Sequence, residues 1–470
     1  MKTELSPNLL EKAIRYYNEL LAAGDLASSS RQLLDDGLGR TKLIFGGRRL
    51  SPYLRPHFIT ESDWARVSSI CGTVFSALQK VKNAAVEDDA ILNELGLTDI
   101  ERELVKIDPG YSQVSPTSRL DSFLVDDAYS FVELNGESPA GIAYADSATE
   151  IFQSLPVMQR FNERYSVRGF EGRSKMFDVL LSSYDEFAGT DQHDRSPSIA
   201  IVDLPGLPTQ TEFELFSDYF EYRGHHAVIA TPQELEYDGK RLTFKGLEID
   251  IVYKRLLVNE YVPIMNEYPA LLDAYRDGAV CLVNSFQSKL VHKKAIFAVL
   301  TNERYEHLFS DNELNAINAH VPWTRKFREG TTRVRTASES NPLGATEEAD
   351  LVSWTRANKK ELVLKPNDDY GGHGIYIGWN SSESEWDDAM TAALANGDYL
   401  VQERVKTAKE KFPMLFGFEG DIKMIEQLVD LDPLLFNGVV GSAFTRLSST
   451  ELANVSSGGG MVPTFVIAEK

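Results

Sequence analysis

Apolar residues recur at three- and four-residue intervals through the first hundred positions. Leu9, Leu10, Ile14, Tyr17 and Leu21 fall on one helical face, and Ser6–Pro7 ahead of them offers a cap followed by a first-turn proline. Trp64, Val67, Ile70, Cys71, Val74, Leu78 and Val81 make a second stripe, which predicts a long helix from near Ser62. Strand and loop are expected in the stretch LIFGGRRLSPYLRPHFIT between them. Its Arg48, Arg49 and Arg55 are minor candidates for anion contact, against the plainer reading of solvated arginines. Residues 1–105 therefore read as a helical N-terminal region with a scaffolding role.

The period then changes. Residues 118–141, SRLDSFLVDDAYSFVELNGESPAG, predict two short strands at 121–125 and 129–134 joined by Asp126–Asp127. Helices are expected at 145–154 and 173–187. From there the order becomes strand (198–204), helix (209–223), strand (226–230), with further strands at 248–253 and 279–284. That spacing predicts a Rossmann-like α/β unit over 196–285, built on a buried parallel sheet. A basic pair, Lys254–Arg255, ends one of its strands, where ligands of open α/β sheets bind; a solvated strand end is an equal reading.

A helix near 290–302 carries Lys293 and Lys294. Residues 328–348 are polar and turn-rich, which predicts a mobile loop or linker. Strands at 362–365 and 375–378 follow, then a helix at 384–394 and a strand over 398–405. A strand with Glu426 and a strand pair ending in Arg446 come next, and Ser456–Gly460 makes a small flexible turn. The expected class is α/β (α+β), in four regions: 1–105, 106–195, 196–285 and 286–470.

Composition narrows the function. A chain of 470 residues, 43% apolar and 25% charged, is an ordinary globular protein with two or three domains. The net charge of −22 argues against nucleic acid and anionic membrane as partners. Cys71 and Cys281 sit in apolar runs and read as core thiols, with no zinc site or disulfide framework. Neither a signal peptide nor a membrane span is visible, so a cytoplasmic location is expected. G-x-G-x-x-G, Walker A, G-x-S-x-G and H-E-x-x-H are all absent.

Candidate chemistry gathers at two places. Asp121 and Glu133 can reach the same end of an antiparallel hairpin, and Asn135 shares the face of Glu133. Two carboxylates and a carboxamide oxygen suit Mg²⁺, although an acidic hairpin facing water fits these residues equally well. The second place is ELVLKPNDDYGGHGIYIGW, residues 361–379, where Gly371, Gly372 and Gly374 allow backbone N–H groups to converge on an anion. Lys365 would bring an ammonium to that anion; a floppy hairpin tip with an exposed lysine is the bland alternative. His373 sits inside the loop. Gln402–Glu403 could read a base edge through the main chain while Val401 packs on its face.

LVLKPNDDYGGHG and DYLVQERV resemble the glycine-rich phosphate loop and the adenine hinge of ATP-grasp enzymes. The candidate metal ligands precede that loop instead of following the hinge. This order resembles the circularly permuted ATP-grasp branch, which includes glutathionylspermidine synthetase and eukaryotic glutathione synthetase. The R-x-D and E-x-N signature stands here as Arg119, Asp121, Glu133 and Asn135, and NVSSGGG resembles the terminal glycine turn of permuted members. The resemblance implies that Asp121, Glu133 and Asn135 hold Mg²⁺ on the phosphates of ATP. It implies that Lys365 and Lys294, with Lys293 as competitor, contact those phosphates. Gly371, Gly372 and Gly374 would close over them, and Gln402–Glu403 would hold the adenine. Arg119 would face the acyl phosphate or the carboxylate, with Arg255 and Arg446 as further catalytic cations.

The implied reaction is ATP-dependent ligation of a small carboxylate to a small amine through an acyl phosphate. A non-catalytic ATP-binding regulator and a phosphotransferase that stops at the acyl phosphate are the alternatives. Two departures from the glutathionylspermidine synthetases stand out: no cysteine-dependent amidase, and Asp-Asp-Tyr-Gly-Gly-His in place of Arg-Glu-Gly. Glu137 and Asp126–Asp127 read as surface acids.

Overall fold

The computed structural model describes residues 8–41, 43–45, 48–189, 195–338, 341–415, 422–450 and 459–470. Ser6–Pro7 and most of the 456–460 turn lie outside them. The first helix, Leu9–Ala22, is capped by Asn8: its Oδ1 accepts from Glu11 N at 2.9 Å while Glu11 Oε2 accepts from Asn8 N at 3.1 Å. That reciprocal pair satisfies two otherwise orphaned donors. The second expected helix runs Glu61–Glu87 with its apolar stripe buried. No helix among the described residues is long and apolar enough to cross a membrane. Cys71 and Cys281 are both buried and free.

Three sheets position the site. The largest joins Thr117–Val125 and Ala128–Asn135 to Ile422–Phe436, Val439–Ser448 and Gly460–Val462, all antiparallel. Its Phe436–Val439 turn is an Asn-Gly pair with φ of 48° and 79°, the backbone twist that two-residue hairpins favour. A Cβ on Gly438 would stand 2.6 Å from Phe75, so the turn can also approach the long helix only as glycine. The second sheet is parallel, in the order Cys281–Val283, Ile251–Lys254, Ile199–Val202, Ala227–Ala230, as the alternating strand–helix pattern predicts. The third, antiparallel, runs Thr324–Lys326, Tyr399–Glu403, Leu362–Pro366, Tyr376–Ile377 and carries the glycine loop. The architecture is mixed α/β.

Two expectations are corrected. The region 328–348 is mostly a hairpin of Thr331–Ser338 and Asn341–Asp350. Its threonines and Val334 favour extended backbone, and Val334 packs beside Trp323 and Leu351 in a core cluster. Glu137 is fully buried rather than a surface acid. Lys289 and Lys254 lie 3.0 and 3.4 Å from its carboxylate, and Val258 N donates to it at 2.7 Å. Asp126 and Asp127 do face water at the hairpin turn.

Asn284, fully buried just past the Cys281–Val283 strand, ties the parallel sheet to both ends of the hairpin. Its Nδ2 donates to the carbonyls of Thr117 (2.7 Å), Gly136 (2.8 Å) and Glu137 (3.1 Å), and its Oδ1 accepts from Thr117 N at 3.0 Å. Truncation would strand several buried main-chain groups, each costing about 1–3 kcal/mol. Asn284→Ala is therefore expected to destabilise the fold by about 3 kcal/mol or more, read from urea unfolding midpoints.

Candidate active site

The hairpin folds so that Asp121 lies directly opposite Glu133, and Arg119 opposite Asn135. The register then slips: Ser122 faces Phe131, and Val132 is left as a bulge. The unpaired Val132 carbonyl accepts the Lys365 ammonium at 2.7 Å. Arg119 clamps Asp121 bidentately, with Nε to Oδ1 at 2.8 Å and Nη2 to Oδ2 at 3.1 Å. Asn135 donates Nδ2 to Asp121 at 3.0 Å and to Glu133 at 3.4 Å.

Sequence reasoning missed two acids here. Asp430 and Asp432 project from Ile422–Phe436, the strand beside the hairpin, and both are buried. With Asp121 they form a group whose ligand oxygens lie within 4.8 Å of one another. Arg446 holds the three together: Nη2 donates to Asp121 and Asp430, and Nε stands 2.9 Å from Asp432. The available signal was Asp-Leu-Asp on one strand, since period two puts both carboxylates on one face. Glu426, on the same strand, is exposed.

Charge balance sets the ionisation. Burial pushes Glu133 up, but Lys294, Lys365, Arg446 and Arg119 outweigh it and hold the carboxyl well below its usual range. Burial lowers Lys365 to about 7, with Glu133 opposing. Burial raises Asp430 and Asp432, with Arg446 opposing in each case.

The glycine loop is fastened at its root. Asn367 accepts from Ala295 N at 2.8 Å and donates to Leu95 O at 2.9 Å, while Asp368 pairs with Lys289 (2.7 Å) and Lys293 (2.9 Å). Lys293 is thus spent on Asp368 and Glu101. Lys294 instead reaches the Asp369 carbonyl and stands 3.4 Å from Glu133. Of the two competing lysines, Lys294 faces the site. Gly371, Gly372 and Gly374 hold φ of 72°, 81° and 67°, which side-chain-bearing residues rarely adopt.

One cavity collects these groups: Asp121, Glu133, Lys294, Lys365, Gly371, Gly372, His373, Gln402, Glu403, Asp430 and Arg446 all line it. Arg119, Asn135 and Gly374 do not line it. Arg255 is not brought there: its guanidinium holds Pro139 O (2.6 Å) and Tyr253 OH (3.0 Å) and pairs with Glu212 (3.4 Å). Val401 turns the other way into a core cluster, because alternate strand residues face opposite sides. The apolar wall comes instead from Val363, Ile377, Val405 and Trp379, with the Arg404 guanidinium 4.2 Å over the Trp379 ring. Gln402 spends its Nε2 on Thr324 at 3.0 Å. Arg55 is buried against Glu410 and Phe412, and Arg49 pairs with Asp35.

Removing a buried cation from three buried carboxylates leaves uncompensated charge, which costs about 3–5 kcal/mol. Arg446→Met is expected to lower unfolding free energy by that amount, with Arg66→Met, at a half-buried surface pair, changing it by under about 1 kcal/mol.

No family model matches the chain. It is 22% identical over 371 residues to the uncharacterized protein sll0335 of Synechocystis, covering 72% of this chain and 65% of that relative's length. In three dimensions it is similar to a glutathione synthetase-like effector, GSS30, from Globodera pallida, with a TM-score of 0.55, 13% identity and 98% of each chain covered. At that identity the likeness concerns the fold alone.

Proposed function

We propose that the protein is an ATP-dependent carboxylate–amine ligase that forms an amide through an acyl phosphate, with Mg²⁺ and ATP as cofactors. One observation carries the reading: a carboxylate hairpin, two lysines and a positive-φ glycine loop from distant chain segments converge on one cavity. The glutathione synthetase-like description of the similar structure supports the reaction class. The permuted order of hairpin, loop and hinge in the chain is part of the same reading.

The donor set fits a hard divalent cation. Glu133 is held ionised, and Asp430 Oδ1 is buried and accepts no hydrogen bond among the described residues. Asp121 would join them, and Asn135 could offer its Oδ1 once the amide turns over. Bound there, the metal would neutralise phosphoryl oxygens. Lys294 and Lys365 place two ammonium groups where phosphates would lie under the glycine loop. Arg446, which also lines the cavity, offers a charge for the developing acyl phosphate, and Arg119 keeps Asp121 in place. The wall of Val363, Ile377 and Trp379 suits a flat base, with the Gln402–Arg404 main chain beside it. In the ligation itself the carboxylate takes the γ-phosphoryl group, ADP leaves, and the amine displaces phosphate.

The test is ADP release across a panel of carboxylic acids, each with and without amines. Amine-dependent release is expected. Release with acid alone would make the protein a phosphotransferase, and no release with any pair would make it a non-catalytic nucleotide binder. Glu133→Gln is expected to cut turnover about 100-fold or more while the unfolding transition stays cooperative. Lys365→Ala should weaken binding of Mg·ATP by about tenfold in calorimetry, and unchanged affinity would sink the loop assignment.

A further inference from the structure

Glu137 is fully buried where the hairpin leaves its sheet, two residues past Asn135 and four past Glu133. Its main chain is fixed, because its carbonyl accepts Asn284 Nδ2 at 3.1 Å. Its two carboxylate oxygens serve two different segments. Oε1 lies 3.0 Å from Lys289 Nζ, and the same ammonium donates to Asp368 Oδ1 at 2.7 Å. Asp368 is the root of the glycine loop. Oε2 accepts at 2.7 Å from the N–H of Val258, the first residue of the short helix Val258–Tyr261. That helix carries Glu260, whose Oε1 accepts the Tyr370 hydroxyl at 3.2 Å, at the exposed tip of the same loop.

Neither route is slack. Lys289 is fully buried and meets carboxylates on three sides, Glu101 at 3.7 Å being the third. The short helix packs through Val258 and Tyr261, both buried, and the Tyr261 ring stacks on Phe286 with centroids 6.1 Å apart. The Tyr261 hydroxyl accepts from Leu272 N at 3.2 Å, and Leu257 N donates to the second oxygen of Glu260 at 3.2 Å. Two routes therefore leave one carboxylate and close on chain positions two residues apart, a ring of contacts in which each bond supports the next. Buried ion pairs of this kind are often replaceable by apolar packing without loss of stability. The contribution of Glu137 then lies in where it places the segments it joins.

We propose that Glu137 is a positioning residue for the glycine loop. It holds the root through Lys289 and Asp368 and the tip through Val258, Glu260 and Tyr370, which fixes the loop relative to Glu133 on the hairpin. The catalytic consequence rests on the ligase reading: a loop held down keeps water from the acyl phosphate until the amine arrives.

Chymotryptic cutting after Tyr370 in the ligand-free full chain, with the cut assigned by mass spectrometry, reads whether the loop leaves its seat. Glu260→Ala, which removes only the tip contact, should speed that cut about fivefold. In Glu137→Gln the amide oxygen can face Lys289 or Val258 but not both, and the cut should be at least about tenfold faster. The double variant should fall short of the product of the two effects, since the tip route passes through both residues. Glu101→Gln removes a partner of Lys289 and Lys293 but nothing from Val258, and should change the rate by less than about threefold. If Glu137→Gln does not fold, Glu137→Asp, which keeps the charge one methylene short, takes its place with the same expectations. A rise no greater than that of Glu101→Gln, or multiplicative effects of the pair, would overturn the proposal. ADP released per amide formed should also rise at least about twofold in the Glu137 and Glu260 variants, and an unchanged ratio would overturn it as well. Absence of amide formation by the wild-type protein would instead remove the ligase reading, and the cleavage rates alone would then decide the anchor.

Discussion

The structure depends on neutralising carboxylates that it takes out of water. Asp121, Glu133, Asp430 and Asp432 are set against Arg119, Arg446, Lys294 and Lys365, four negative groups and four positive ones. A second layer behind them, Glu101, Glu137 and Asp368 with Lys254, Lys289 and Lys293, also balances. Burying an unpaired charge costs several kcal/mol, so no member of either layer can be placed without its partners. Those partners come from segments far apart in the chain. Charge balance is therefore what makes the hairpin, the lysine pair, the glycine loop and the late strands occupy one place. It adds specificity of arrangement more than net stability, since ion pairs of this kind roughly repay their own desolvation.

The sheets supply the precision that the charges need. Antiparallel pairing of Thr117–Val125 with Ile422–Phe436 carries Asp430 and Asp432 to the hairpin. Pairing of Asp430 with Arg446 on the next strand then delivers the shared guanidinium. A register slip of one residue on any of these strands would send the carboxylates to the opposite face. The bulge at Val132 works the same way, because it releases one carbonyl from the ladder to hold Lys365.

What the sequence made legible was local. Asp121, Glu133 and Asn135 stand within one hairpin, and Lys365 with its glycines within one strand–loop–strand, so period and turn chemistry sufficed to group them. The parallel sheet was legible because alternating apolar strands and amphipathic helices leave few other arrangements. Asp430 and Asp432 were not legible, because their burial is created by a strand more than three hundred residues earlier in the chain. Glu137 was misread for the same reason: an acid looks solvated until the lysines that enclose it are known. Val401 was assigned to the wrong face, since a strand's inward side depends on what packs behind it. The 331–350 hairpin was read as a loop because its strands carry so many polar residues; Val334 and the half-buried Ala349 mark the side that packs on the core.

The two charge layers also decide which part of the glycine loop can move. Asp368 belongs to the inner layer, and Asn367 is bonded to main chain on two other segments, so neither can shift without stranding buried groups. From Tyr370 onward the loop has positive-φ glycines, and Tyr370 is held through its hydroxyl to Glu260 and through its N–H to the neighbouring Asp369 Oδ1 at 2.7 Å. Freedom therefore begins at Asp369, whose carbonyl is held by Lys294, the same lysine that faces Glu133. Anions bound under the loop would compete with Glu133 for that ammonium, which couples filling of the cavity to the position of the loop above it.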